Sequence, residues 1–230
     1  MLPEGGESPP EFFARLLPAR GAAAIRRPFD GAPLEQMARY LSRVDRIRRS
    51  TNLTGPFPAE ELVSHAVESM LGAGDLPPGA HVADIGSGAG FPGVPLAIVR
   101  PDVTLVPVEP RRKRRDFLDG CAAEIGIGNL LPSVASLAAL PPGSVGAATA
   151  RAVGDLASIL GDHASALAPD AVLIVWTTEP EVLARQLSGA FVLEESRVVA
   201  GTDRKRIARF RRRAVREHDG RHRIGRHRKH

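Results

Sequence analysis

The sequence predicts an α/β protein: a mostly parallel, doubly wound, Rossmann-like sheet of seven strands placed after an N-terminal helical cap. Three observations carry this reading. A short apolar run, a glycine-rich turn and an apolar segment follow one another between His81 and Val99. Apolar runs then alternate with longer amphipathic segments as far as Leu187. Ahead of both, apolar residues recur at helical spacing from Leu34 to Leu71. Strand–helix alternation is the pattern of a parallel sheet covered on both faces.

Residues 1–33 read as a flexible N-terminus with one short helix, Glu11 to Leu17, and a loop from Gly21 to Ala32. Residues 34–75 form the cap. Leu34, Met37, Leu41, Val44 and Ile47 mark its first helix. A polar turn, Ser50 to Pro56, leads to a second helix begun at Pro58 and ending near Gly72. Residues 76–213 form the α/β domain. Its strands are expected at His81–Ala83, Val103–Glu109, Asn129–Val134, Val145–Ala150 and Ala171–Thr177, closed by an antiparallel pair, Phe191–Val199 and Arg206–Phe210. Helices are expected over Val94–Val99, Arg111–Ile125, Gly154–Leu167 and Glu179–Leu187. Residues 214–230 read as a disordered basic tail.

The chain's net charge of +5 conceals an asymmetry. From Asp203 to His230 there are thirteen Lys or Arg against three Asp or Glu, a net +10, so the remainder carries −5. A basic run of this kind suits RNA phosphates, and a solvated tail is the bland alternative. The single cysteine, Cys121, rules out an intrachain disulfide framework and fits a cytoplasmic protein. Met1 to Pro10 does not resemble a signal peptide, and no apolar run is long enough to span a membrane. A monomer is expected. No metal is expected either, because four of the seven histidines fall in the last thirteen residues and have no cysteine partners.

The glycine turn, Asp84-Ile85-Gly86-Ser87-Gly88-Ala89-Gly90-Phe91-Pro92-Gly93, decides the ligand class. A dinucleotide fingerprint requires a third glycine at position 91, where Phe91 stands. An acid two residues ahead of three alternate glycines is instead the form used by class I S-adenosylmethionine-dependent methyltransferases. Asp84, Gly86, Ser87, Gly88, Gly90 and Phe91 are therefore candidate cofactor contacts. Ligands of such sheets sit at the carboxyl ends of the strands. That rule adds Glu109, whose carboxylate suits ribose hydroxyls, then Leu137 and Ala138, and Arg151. Arg111, Arg112, Lys113, Arg114 and Arg115 open a helix against its macrodipole, which suggests contact with RNA phosphates, although a solvated charged turn would look the same. Asn52 and His65 in the cap are candidates for positioning the substrate, beside their commoner uses as turn and structural residues. From these residues alone, a methyltransferase of another substrate class and a non-catalytic RNA-binding or ribosome-assembly protein stand beside an RNA methyltransferase.

Five pieces resemble one family, the bacterial 16S rRNA guanine-N7 methyltransferases (RsmG, also called glucose-inhibited division protein B). They are Asn52-Leu53-Thr54; His65 with Glu68-Ser69-Met70; Asp84 to Pro101; Lys113-Arg114 with Phe117-Leu118; and Ala150-Arg151-Ala152. The resemblance covers roughly residues 34–200. It implies cofactor contacts at Gly86, Phe91, the Leu137-Ala138 pair and Arg151, and 16S rRNA or the small ribosomal subunit as partner. The chain departs from the family pattern at Glu68, where Asp is usual, at Val134–Ala138, at Trp176-Thr177-Thr178 in place of Lys-Gly, and at Ile207–Arg211.

Overall fold

A computed structural model describes residues 7–51 and 53–213. Its strands are β1 (His81–Ile85), β2 (Thr104–Val108), β3 (Val145–Arg151), β4 (Leu167–Thr177), β5 (Phe191–Val198) and β6 (Arg206–Arg212). They form one sheet in the order β2-β1-β3-β4-β6-β5. The first four are parallel, and β6 is antiparallel to both β4 and β5. The strand order reverses between β1 and β3, so the switch point falls beside the glycine turn.

Among the described residues eight α-helices surround the sheet: α1 (Pro9–Leu16), α2 (Pro18–Ile25), α3 (Gly31–Arg48), α4 (Ala59–Met70), α5 (Gly93–Val99), α6 (Arg112–Ile125), α7 (Leu156–His163) and α8 (Pro180–Gln186). Successive side chains of a strand point to opposite faces, so the core divides in two. Val82, Ala147, Val172 and Ile174 join α1, α3, α4, α5 and α6 on one face. Ala83, Ala148, Leu173 and Val175 join α7 and α8 on the other. Met37, Tyr40, Leu41, Leu62, Val63 and Met70 of the cap are buried in the same cluster as Leu96 and Leu118, so the cap shares its core with the sheet.

Three expectations need correction. The sheet has six strands among the described residues, not seven. Asn129–Val134 makes only isolated parallel bridges to β2, Leu105 with Leu130 and Val108 with Val134. Prolines at 107 and 132 interrupt the ladder donors along this edge, and Ser133 is instead held by Asp119 of α6. Gly21–Ala32 is not a loop throughout, because α2 runs to Ile25. Gly21 sits inside that helix because an added Cβ would lie 2.4 Å from the Phe29 ring, so the glycine serves packing rather than a break. Irregular structure does not extend to residue 10 either: Ser8 and Glu11 form a capping box that starts α1 at Pro9.

The basic C-terminal stretch divides similarly. Arg206, Arg209, Arg211 and Arg212 lie in β6, where Arg209 and Arg211 pair with Glu194 of the neighbouring strand. The tail expected from residue 214 onward lies outside the described residues.

Candidate functional site

The turn between β1 and α5 is built around Asp84. Its carboxylate is fully buried. Oδ1 accepts from Thr149 Oγ1 of β3 at 2.7 Å, and Oδ2 accepts from Gly93 N at the start of α5 at 3.3 Å. Burial pushes its pKa up to about 6, against the pull of these hydrogen bonds. Asp84 therefore braces the turn from beneath. Ser87 does likewise: it is buried, and its hydroxyl donates to the Asp84 carbonyl at 2.7 Å.

Gly86, Gly88 and Gly90 have φ of 69°, 57° and 105°, a region that side-chain-bearing residues enter at a cost. A Cβ at Gly86 would meet Val153 Cγ2 at 2.7 Å, and one at Gly90 would meet Val94 at 2.7 Å and the Tyr40 hydroxyl at 2.9 Å. The chain's sole tyrosine braces the turn directly, donating to Ala89 O at 2.9 Å.

Glu109 follows β2 and is buried beside the turn. Its Oε2 accepts from Gly88 N at 3.0 Å and its Oε1 from Arg111 N at 3.0 Å. Arg114 pairs with Oε2 at 3.8 Å, and Arg115 donates to the Glu109 and Pro110 carbonyls. Of the basic block, these two turn inward, whereas Arg111, Arg112 and Lys113 are exposed and Arg112 pairs with Asp116. Leu137 is buried at the start of a 3-10 turn and Ala138 beside it is exposed.

A second constellation stands at the end of β3. Arg151 Nη2 lies 2.7 Å from His65 Nδ1 and 3.0 Å from Glu68 Oε2. Because arginine only donates, Nδ1 of His65 accepts and its proton belongs on Nε2. Lys205, from the turn between β5 and β6, donates to Glu68 Oε1 at 2.7 Å, and Trp176 Nε1 donates to Glu68 O at 2.8 Å. Burial raises the pKa of Glu68, but its charged neighbours, Lys205 and Arg151 among them, outweigh it and hold the value at about 2. Burial also lowers the Arg151 pKa, against the pull of Glu68. Phe91 packs against both Tyr40 and His65, with ring centroids 5.4 and 5.7 Å away, and Phe57 also meets His65, at 5.1 Å. Ala152, next in chain, has φ of 54°, a strained value for a residue with a side chain.

Arg151, His65, Glu68 and Lys205 edge a cavity of about 550 Å³, also lined by Val153, Trp176, Thr177 and Thr178. Val153 belongs to both places: it lines this cavity and is the side chain that a Cβ at Gly86 would strike. The glycine turn and the cavity therefore share a wall. Thr149 and Lys205 escaped the sequence reading, and Trp176 entered it only as a departure from the family pattern, because their partners lie 65, 137 and 108 residues away. Tyr40 did carry a signal, as an unusual aromatic on the apolar face of α3. Asn52 lies outside the described residues.

Residues 33–176 match the family model described as rRNA small subunit methyltransferase G. The chain belongs to this family. The ribosomal RNA small subunit methyltransferase G of Halorhodospira halophila is 38% identical over 63% of this chain and 69% of its own length. That of Wolinella succinogenes is 34% identical over 66% of this chain and 79% of its own. Among solved structures, a SAM-dependent methyltransferase from Aquifex aeolicus superposes with a TM-score of 0.53 at 15% identity, covering 74% of this chain and 97% of that one, a likeness of fold. The matched residues contain the glycine turn, Glu109 and Arg151 but not Lys205. Among the described residues no group of side chains suits a metal ion, and no helix is long and apolar enough to cross a membrane.

Proposed function

We propose that this protein transfers the methyl group of S-adenosylmethionine to N7 of a guanine in 16S rRNA of the small ribosomal subunit, acting as a cytoplasmic monomer. The observation that carries the reading is the wall shared through Val153, within a chain of the small-subunit rRNA methyltransferase family. It sets a cradle for one reactant against a pocket for the other, as group transfer requires.

The residues fit the cofactor. A Cβ would fill the cradle at Gly86 and Gly90, and the Glu109 carboxylate stands beside Gly88 at the tip of β2, suited to ribose hydroxyls. Leu137 and Ala138 would add further contacts to the cofactor. S-adenosylmethionine, when bound, supplies a methyl group on a positively charged sulfur. Guanine N7 has a lone pair and no proton, so attack from it needs no general base. His65 accordingly need not act as one: Nδ1 is engaged by Arg151, and Phe57 and Phe91 fix the ring. Its role is to place Arg151 at the cavity edge, and that of Glu68 is to hold Arg151 and Lys205 there together. The cavity then excludes water around a base taken from a loop or flipped out of a helix. The exposed Arg111, Arg112 and Lys113 suit the adjoining phosphates.

The test is transfer from methyl-labelled S-adenosylmethionine to 16S rRNA, as naked transcript and as small-subunit particle, followed by mapping of the modified atom. Label at one guanine N7 is expected. Label on a protein, a small molecule or another base atom would replace this substrate assignment.

A further inference from the structure

We infer that the outer face of α3 is a second RNA-binding surface, a track of arginines that takes the phosphate backbone of the substrate and leads it to the site. Arg39, Arg43, Arg46 and Arg49 recur at intervals of four, three and three, so they share one helix face. They border a groove of about 560 Å³ between α3, α6 and the start of α1. From Arg39 to Arg49 the track measures about 15 Å, enough to follow several phosphates of one strand.

The charges on this face do not cancel. Arg43 pairs with Glu124 and is packed over Phe117, while Asp45 is shared between Arg48 and Arg49. Arg39 donates to the Glu124 carbonyl, a neutral acceptor, and both Arg39 and Arg46 are exposed. The guanidinium forks are thus held at the surface with an excess of positive charge, which matches phosphate in geometry and in sign. Pro9, Pro10 and Ile125 give the groove an apolar lining, and Ser42 and Asp45 lie among the arginines on its wall; the excess of guanidinium charge is what selects a phosphate backbone as the occupant.

The direction of the track also points to this partner. Gln36 bonds Gly126 O, Arg39 bonds Glu124 O, and Arg43 lies against Gly120 and Phe117. Helices α3 and α6 therefore run antiparallel. Following α3 from Arg39 to Arg49 leads toward the N-terminus of α6, where Arg112 and Lys113 are exposed and Arg114 adjoins Gly88. The same helix braces the turn through Tyr40, so RNA held along α3 is in rigid register with the methyl-transfer site.

This inference rests on RNA being the substrate, and its test separates the two. Salt-dependent binding to 16S rRNA transcript is compared for the parent, R39Q/R46Q/R49Q, and R20Q/R26Q/R185Q, which removes the same charge from exposed arginines elsewhere. Cofactor binding by calorimetry reports that the fold is intact. The track variant should bind more than tenfold more weakly near physiological salt, with the slope of log K against log salt reduced by about 2. The control should stay within about twofold of the parent. Equal losses in both variants, no loss in the track variant, or a parent that does not bind rRNA would each overturn the inference. Methyl transfer is scored separately. A parent that binds through the track yet methylates another target refutes the guanine-N7 reading alone.

Discussion

Arg151 and Glu68 form an ion pair at 3.0 Å between the end of β3 and helix α4, 83 residues apart in sequence. The carboxylate and guanidinium are only 10% and 16% exposed, so neither is well solvated by itself. Removing one partner of such a pair leaves a poorly compensated charge. Glu68→Gln is expected to lower stability by roughly 2–4 kcal/mol in urea titration, with most of the loss on Arg151, since Lys205 is half exposed. Glu68→Asp should recover part of it. Because Glu68 is held at about 2 from an ordinary 4.5, its contribution is present above about pH 4.5 and is lost as the pH falls toward 2. Glu68→Gln should remove this acid-side loss.

Asp84 acts in the opposite sense. Its folded pKa, about 6, lies above the ordinary 3.8, so the native state binds the proton more tightly than the unfolded chain. Stability from this group is full below about pH 3.8 and declines as the pH rises through 6, by an amount on the order of 3 kcal/mol. Asp84→Asn should flatten the stability profile between pH 4 and 7. A profile in Asp84→Asn as steep as the parent's would refute this assignment.

The glycines of the turn should rank by sterics as well as conformation. Gly86→Ala combines positive φ with a Cβ 2.7 Å from Val153, whereas Gly88→Ala faces nothing nearer than Arg114 at 3.6 Å. Gly88→Ala is expected to cost about 1 kcal/mol, and Gly86→Ala about 2–4 kcal/mol with loss of cofactor affinity. Adding Val153→Ala should rescue part of the Gly86→Ala defect and none of the Gly88→Ala defect. Thermal melts and calorimetric titration with S-adenosylmethionine read both.

Cys121, the sole cysteine, is wholly buried on α6, and burial pushes its thiol up to about 12. With little thiolate and no access, it should resist a thiol reagent in the folded protein and react at the rate of unfolding. Rapid labelling under native conditions would contradict its placement in the core.

By itself, the sequence determined the features that depend on neighbours along the chain. The acid and alternate glycines of 84–90 announced the turn, because positive φ and close approach are local demands that glycine meets. The apolar periods of 34–71 and the runs at 145–150 and 171–177 announced helices and strands, because burial on one face leaves a period. It misread Gly21, which is set by Phe29 in three dimensions, and Asn129–Val134, where apolar character without continuous ladder partners yields bridges instead of a strand. Only the tertiary structure decided that Asp84 supports the turn from beneath, that Thr149 is its partner, and that Glu68 gathers His65, Arg151 and Lys205 over one cavity. The pairings of Asp84 with Thr149 and of Glu68 with Arg151 and Lys205 cross from 65 to 137 residues of chain. A buried charge must find its counter-charge wherever packing brings one, and spacing along the sequence carries no record of that choice.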